Sequence, residues 1–135
     1  NDQIMNAVLS ICIPTFNRGE ILDQALTHLI NLPVFTEFKN WDVAISDNAS
    51  SDATQIICKR FESRYPDRIH YFRNTKNVRD ENFRIALSRG KGIYLKLCND
   101  TLLLTDNGIR EMLNCIIRNL DKKPNLYFRN VDTNF

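Results

Sequence analysis

The sequence predicts an α/β fold, a mainly parallel open sheet with helices on both faces. Short apolar runs alternate with helical periodicities four times along the chain, and a further strand pattern follows. The first run is apolar at neighbouring positions, as in a central strand covered on both sides. Each of the first two runs stops at a polar turn that opens a helix, so right-handed crossovers are expected at each step.

Residues 1–7 are polar and without period, and read as a frayed lead-in. A strand is predicted over 8–13, ended by Pro14, which cannot donate to a ladder. Asn17-Arg18-Gly19-Glu20 reads as a capping box, and Ile21, Leu22, Ala25, Leu26 and Leu29 follow at helical spacing until Pro33 closes the helix. Residues 34–40 read as a loop and 41–46 as the second strand. Ser50 or Ser51 is expected to cap a second helix with Ala53, Ile56, Ile57 and Phe61 on its buried stripe. Pro66-Asp67 marks a turn before a third strand over 68–73. A polar connection leads to a helix over 80–89, with Gly90 as its C-terminal cap. A fourth strand is predicted over 92–97. Thr105 or Asp106 caps a last helix whose stripe is Ile109, Met112, Leu113, Ile116, Ile117 and Leu120. A fifth strand is expected over 126–129, so the sheet reads as truncated at the C-terminus, a piece of something longer.

The 135 residues suit one domain. A hydrophobic share of 43% and a charged share of 25% are those of an ordinary soluble globular protein. The formal charge of +2 is too small, and the basic residues too dispersed, to argue for nucleic acid. No apolar stretch approaches the ~20 residues of a membrane span, and no basic-then-apolar leader is visible at the start. Cys12, Cys58, Cys98 and Cys115 form no Cys-x-x-Cys pair, which reads as free thiols in a reducing, cytoplasmic compartment.

Several chemistries are excluded by their motifs. The first turn, Pro14 to Glu20, holds one glycine where a dinucleotide fingerprint needs several. No P-loop and no Gly-x-Ser-x-Gly elbow occurs. A phospho-receiver would need an acidic pair after the first strand, where Pro14-Thr15 stands. His28 and His70 fall on a helix and a strand, away from the strand ends. What remains are the segments 14–17, 47–51, 77–82 and 98–101, all at carboxyl ends of strands, where open α/β sheets bind ligands. Phe16 offers a flat aromatic face there. Asp47 either accepts from a base imide or ribose hydroxyl, or closes a turn before the next helix.

Ser10-Ile-Cys-Ile-Pro-Thr-Phe-Asn-Arg18 and Ser46-Asp-Asn-Ala-Ser-Ser-Asp52, in this order and spacing, resemble the nucleotide-binding half of family 2 glycosyltransferases of the GT-A fold. The likeness runs through Asn77, Asn82-Phe83 and the strand beginning at Gly92. It implies that residues 1–135 are a single nucleotide-sugar-binding domain of a longer enzyme. Such an enzyme transfers a hexose-type sugar from a nucleoside-diphosphate sugar to a glycan or lipid-linked acceptor in polysaccharide biosynthesis, at the inner face of the membrane when the acceptor is a lipid. The resemblance implies that Pro14, Thr15, Phe16 and Asn17 line base and ribose, that Asp47 reads the base with Asn48 beside it, and that Arg79 and Asn82 lie near the nucleotide. It also implies a Mn2+ or Mg2+ ion on an Asp-x-Asp motif, to disperse the charge of the leaving diphosphate. Here that motif falls on Asn99-Asp100-Thr101, so that a shift of one residue makes Asp100 the metal ligand with Asn99 and Thr101 as neutral oxygens, and metal binding weaker than the family norm, or only together with nucleotide, is expected. The general base is expected beyond Phe135, and the isolated piece to be inactive. The other reading is a non-catalytic nucleotide-binding or interaction module of the same fold.

Overall fold

A computed structural model describes residues 7–121; the strand expected over 126–129 lies outside the described residues. Strands β1 (Leu9–Thr15), β2 (Trp41–Asp47), β3 (Ile69–Arg73) and β4 (Tyr94–Leu97) form one sheet in the order β3-β2-β1-β4, with every ladder parallel. Between and after them run α1 (Gly19–Ile30), α2 (Pro33–Glu37), α3 (Thr54–Arg64), α4 (Glu81–Arg89) and α5 (Asp106–Asn119). The chain steps outward from β1 to β3, and α4 then carries it back to the far side of β1. That reversal makes a topological switch point beside β1.

The two faces of the sheet are built from different residues. Ile11, Ile13, Val43 and Ile45 are fully buried in the main core with Leu22, Leu26, Leu29, Ile57 and Phe61, residues of α1 and α3. The alternate positions Ser10, Cys12, Ala44 and Ser46 are small and lie under α4, which packs across β1, β2 and β4. Small side chains there let α4 and the segment after it approach the sheet closely. A Cβ at Gly90 would lie 2.7 Å from Cys12 Sγ, and one at Gly92 would lie 2.7 Å from the Ser10 nitrogen.

Local expectations meet several corrections. β1 continues through Pro14 to Thr15. The Thr15 carbonyl accepts from Asn48 N on the β2 side and the Cys12 carbonyl from Cys98 N on the β4 side. Backbone groups alternate sides, so the N–H that Pro14 lacks would point past the end of β4, and no ladder bond is lost. Pro33 does not merely end α1; it starts α2, within the expected loop, at the first helical position that proline suits. On α3 the buried stripe is Thr54, Ile57, Cys58 and Phe61, while Ile56 is 71% exposed and Ala53 exposed. A buried threonine and cysteine rotate the stripe away from the more apolar-looking choice. Ile117 on α5 is likewise exposed, but Ile109, Met112, Leu113 and Ile116 are buried and Thr105 Oγ1 accepts from Gly108 N as the cap. Gly90 has φ −74° and ψ 139°, so it is extended, not a left-handed cap; close approach is what requires it.

Arg68 fastens the amino-terminal end of the sheet. Its guanidinium donates to the carbonyls of Trp41, Phe35 and Phe38 and lies 4.1 Å above the Phe35 ring and 5.1 Å from that of Trp41. Burial lowers its pKa to about 10, with Asp42 acting the other way. Among the described residues no helix is long and apolar enough to cross a membrane.

Candidate functional site

The carboxyl-terminal rim is made by the four segments that follow the strands. Each contains one non-glycine residue with positive φ: Asn17 (51°), Ala49 (63°), Arg79 (55°) and Leu102 (45°). Such conformations cost of order 1–3 kcal/mol each and concentrate at ligand sites.

The first two turns are tied to one another. Asn17 Oδ1 accepts from the amides of Ser51 (2.8 Å) and Asp52 (3.2 Å), and Asp52 Oδ2 accepts from Gly19 N at 3.0 Å. The capping box is therefore replaced by a reciprocal exchange, in which α1 is capped from the neighbouring turn. Ser50 and Ser51 do not cap α3; Asp52 Oδ1 accepts from Thr54 N at 2.9 Å. Desolvation raises the Asp52 pKa, but hydrogen bonds from the Thr54 hydroxyl and the Gly19 and Thr54 amides outweigh it and hold the carboxyl below its ordinary value.

A cleft of about 510 Å³ opens on this rim. Of the ten residues expected at the site, eight line it: Pro14, Thr15, Phe16, Asn48, Arg79, Asn82, Asn99 and Asp100. Asn17 does not; its side chain is used in the tie between turns. Asp47, expected against the base, does not line it either, and the pleat accounts for this. β2 extends through Asp47, so this side chain falls on the face of Val43 and Ile45, whereas Asn48 turns to the cleft. The Asp47 carboxylate is fully buried, taking Ser50 N (3.0 Å), the Ser50 and Tyr71 hydroxyls, and Arg73 Nη1 (3.2 Å). Burial, then the bond to Asp47, pushes the Tyr71 phenol well above its usual range. Of the alternatives open for Asp47, turn closure is the one observed.

An asparagine lattice supports the cleft floor. Asn48 donates to Asn77 Oδ1 (2.9 Å) and accepts from Val78 N (2.8 Å) and Asn74 Nδ2 (3.2 Å). Asn82 Oδ1 accepts from Ser46 Oγ (2.8 Å) and Asn74 Nδ2 (2.9 Å), while Asn82 Nδ2 donates to the Ser46 carbonyl at 2.9 Å. These neutral groups fix β2, the β3–α4 segment and α4 together without adding charge.

The titratable groups of the lining are Arg18, Arg79 and Asp100. Thr15 Oγ1 donates to Asp100 at 3.0 Å, and Arg18 Nε lies 3.0 Å from the same carboxylate. Asp100 is 8% exposed, so this pair reaches solvent mainly through Arg18, whose side chain is 43% exposed. The fit to the divalent ion implied by the sequence is poor. Magnesium and manganese favour several oxygen ligands, commonly carboxylates and waters, and this lining supplies one carboxylate that is already shared between a hydroxyl and a guanidinium. No group of three or more His, Cys, Asp or Glu able to hold a metal occurs among the described residues. Burial pushes the Cys98 thiol up to about 11, so it is not a nucleophile at neutral pH.

Four residues that line the cleft were outside the expected site residues: Arg18, Asn77, Phe83 and Thr101. All four lie inside or next to the quoted motifs. Arg18 precedes the first residue of α1 and Phe83 faces the cleft from the first turn of α4, so recognising where each helix begins would have found them. Phe83 is 48% exposed and Phe16 41%, two open aromatic faces on one cleft.

Comparison with known proteins bears on the family and the fold. The profile of "Glycosyl transferase family 2" matches residues 10–133. Abequosyltransferase RfbV of Salmonella typhimurium is 36% identical over 88 residues, covering 64% of this chain and 26% of that protein. The GalNAc(5)-diNAcBac-PP-undecaprenol beta-1,3-glucosyltransferase of Campylobacter jejuni is 31% identical over 94 residues, 68% of this chain and 29% of its own length. The chain thus spans between a quarter and a third of these relatives. Among solved structures, the mannosyltransferase PcManGT from Pyrobaculum calidifontis, in complex with GDP-Man and Mn2+, superposes with a TM-score of 0.67 at 16% identity, over 84% of this chain and 33% of that one. S. aureus TarS in complex with UDP-GlcNAc gives 0.62 at 17% identity, over 83% and 32%. These likenesses show the GT-A fold, and with the matched profile they establish that the chain belongs to glycosyl transferase family 2.

Proposed function

We propose that the chain carries the donor site of a glycosyltransferase that moves a sugar from a nucleoside diphosphate to a glycan or lipid-linked acceptor. The observation that carries this is the cleft itself: two aromatic faces, two guanidinium-bearing residues and a polar floor meet at the switch-point edge of a parallel sheet. Phe16 or Phe83 stacks the base. Ribose and base hydroxyls or amides meet the rim around Thr15, Asn48 and Asn82. Arg18 and Arg79 stand where anionic phosphate oxygens need cationic donors. The relatives named above support sugar transfer, and PcManGT and TarS are held with GDP-Man and UDP-GlcNAc. With Thr15 and Arg18 on it, Asp100 is poorly placed to take a proton from an acceptor, so the general base belongs outside the described cleft. A lipid-linked acceptor would bring the protein to the cytoplasmic face of a membrane.

The test is a thermal-shift panel of nucleoside diphosphates and nucleotide sugars, each with and without manganese. A ligand at 100 times its Kd adds about 2.7 kcal/mol to the native state, a readily measured rise in Tm. No shift for any of them at millimolar concentration would overturn the donor-site reading. The lone carboxylate of the lining favours a second reading, a nucleotide-binding module that transfers nothing; release of nucleoside diphosphate from a sugar donor would exclude it.

A further inference from the structure

Taking the cleft as a donor site, we propose that its diphosphate-binding cation is Arg18, clamped by Asp100, and that nucleotide binds without a divalent metal. In its place Asp100 engages Arg18 through Nε, at 3.0 Å. Both terminal guanidinium nitrogens of Arg18 remain without a partner among the described residues, on a side chain that lines the cleft and is 43% exposed. A guanidinium held by Nε presents its two Nη groups as a planar fork that matches two phosphate oxygens. Thr15 Oγ1 steadies the far side of the clamp at 3.0 Å, and Thr15 is itself fixed in the β1–β2 ladder.

Charge counting favours the same assignment. The titratable residues of the lining sum to one net positive charge, from Arg18 and Arg79 against Asp100. That sign already suits a diphosphate. For Asp100 to coordinate a divalent ion, Arg18 would have to leave it, and two more positive charges would enter a rim that carries two guanidinium groups. The Asp100 carboxylate is therefore a positioning group acting through Arg18.

Titration calorimetry of UDP, GDP, CDP and ADP into the chain tests this, in buffer with EDTA and in buffer with Mn2+. The tightest-binding nucleotide is expected to bind within about threefold in the two buffers. Arg18→Gln should weaken it at least tenfold in EDTA, and Arg18→Lys, which keeps charge but not the fork, by an intermediate factor. Asp100→Asn, which frees the guanidinium, should weaken binding several-fold by the same factor in both buffers. The mutated side chain of Arg18 is well exposed, and an unchanged Tm for both Arg18 variants shows that folding is intact. Affinity lost tenfold or more in EDTA, or Arg18→Gln binding like wild type, would overturn the inference while leaving the donor site standing. Absence of binding for every nucleotide in both buffers would overturn the donor-site reading and this inference with it.

Discussion

The two ends of the sheet use arginine in opposite ways. At the amino-terminal end, Arg68 gives its guanidinium donors to three backbone carbonyls and lies against two aromatic rings. At the carboxyl-terminal end, Arg18 gives one nitrogen to Asp100 and keeps the rest toward the cleft, and Arg79 lines the same cleft. The difference separates a residue that completes the fold from residues that line an open cleft, where the proposed function places a ligand. Asp47 and Asp100 divide in the same sense, one sealed among four protein donors and the other at the cleft wall.

Substitutions can break this contrast, beginning with the largest effect. Arg68→Ala leaves three carbonyls without their charged donor and removes stacking, so a loss of about 3–5 kcal/mol is expected. Urea unfolding measures it, and the nucleotide affinity of the fraction that stays folded should be unchanged. Asp47→Asn should cost about 2–4 kcal/mol, since Arg73 and the Ser50 and Tyr71 hydroxyls lose a buried carboxylate. A variant of full stability that had lost nucleotide binding would return Asp47 to the base-reading role it was first given. Ala49→Gly should stabilise by about 1 kcal/mol, because glycine adopts the positive φ of that turn without a Cβ clash; a fall in Tm would mean the Ala49 methyl makes contacts that outweigh the strain.

The smallest effect lies midway between the two ends and depends on pH. His70 Nε2 is 3.3 Å from Asp42 Oδ2, and that hydrogen bond raises the imidazole above its ordinary value of 6.5, against the effect of burial. A raised folded-state value means protonated His70 stabilises fully below 6.5 and that this contribution fades as pH climbs through the folded value. With the side chain 34% exposed, the effect should stay under about 1 kcal/mol. The Tm gap between wild type and His70→Gln should narrow from pH 6 to pH 8.5, and a gap that widened would reverse the assigned sign.

The succession of strands and helices, the parallel sheet and the edge that holds the cleft were legible in the sequence because they follow from alternation of apolar runs and from turns at strand ends, whereas the order of the strands across the sheet was not. Side-chain direction near those ends was less legible. Asp47 and Asn48 differ by one position, and whether a strand ends before or after Asp47 decides which of them enters the cleft. Proline misled twice, at Pro14 because the N–H it lacks would have pointed past the end of β4, and at Pro33 because the first position of a helix needs no N–H. Gly90 was expected to act through its backbone freedom but acts through its size, which only packing against Cys12 and Ser10 discloses. Arg18 was quoted within the motif yet not assigned to the site, since its partner Asp100 lies 82 residues further on.

The exchange of hydrogen bonds between Asn17 and Asp52 has a bearing on affinity. Two loops that grip each other's helix-opening amides are restrained before any guest arrives. Under the proposed function, a nucleotide settling there need not freeze two independent segments, so more of its contact free energy would survive as observed binding.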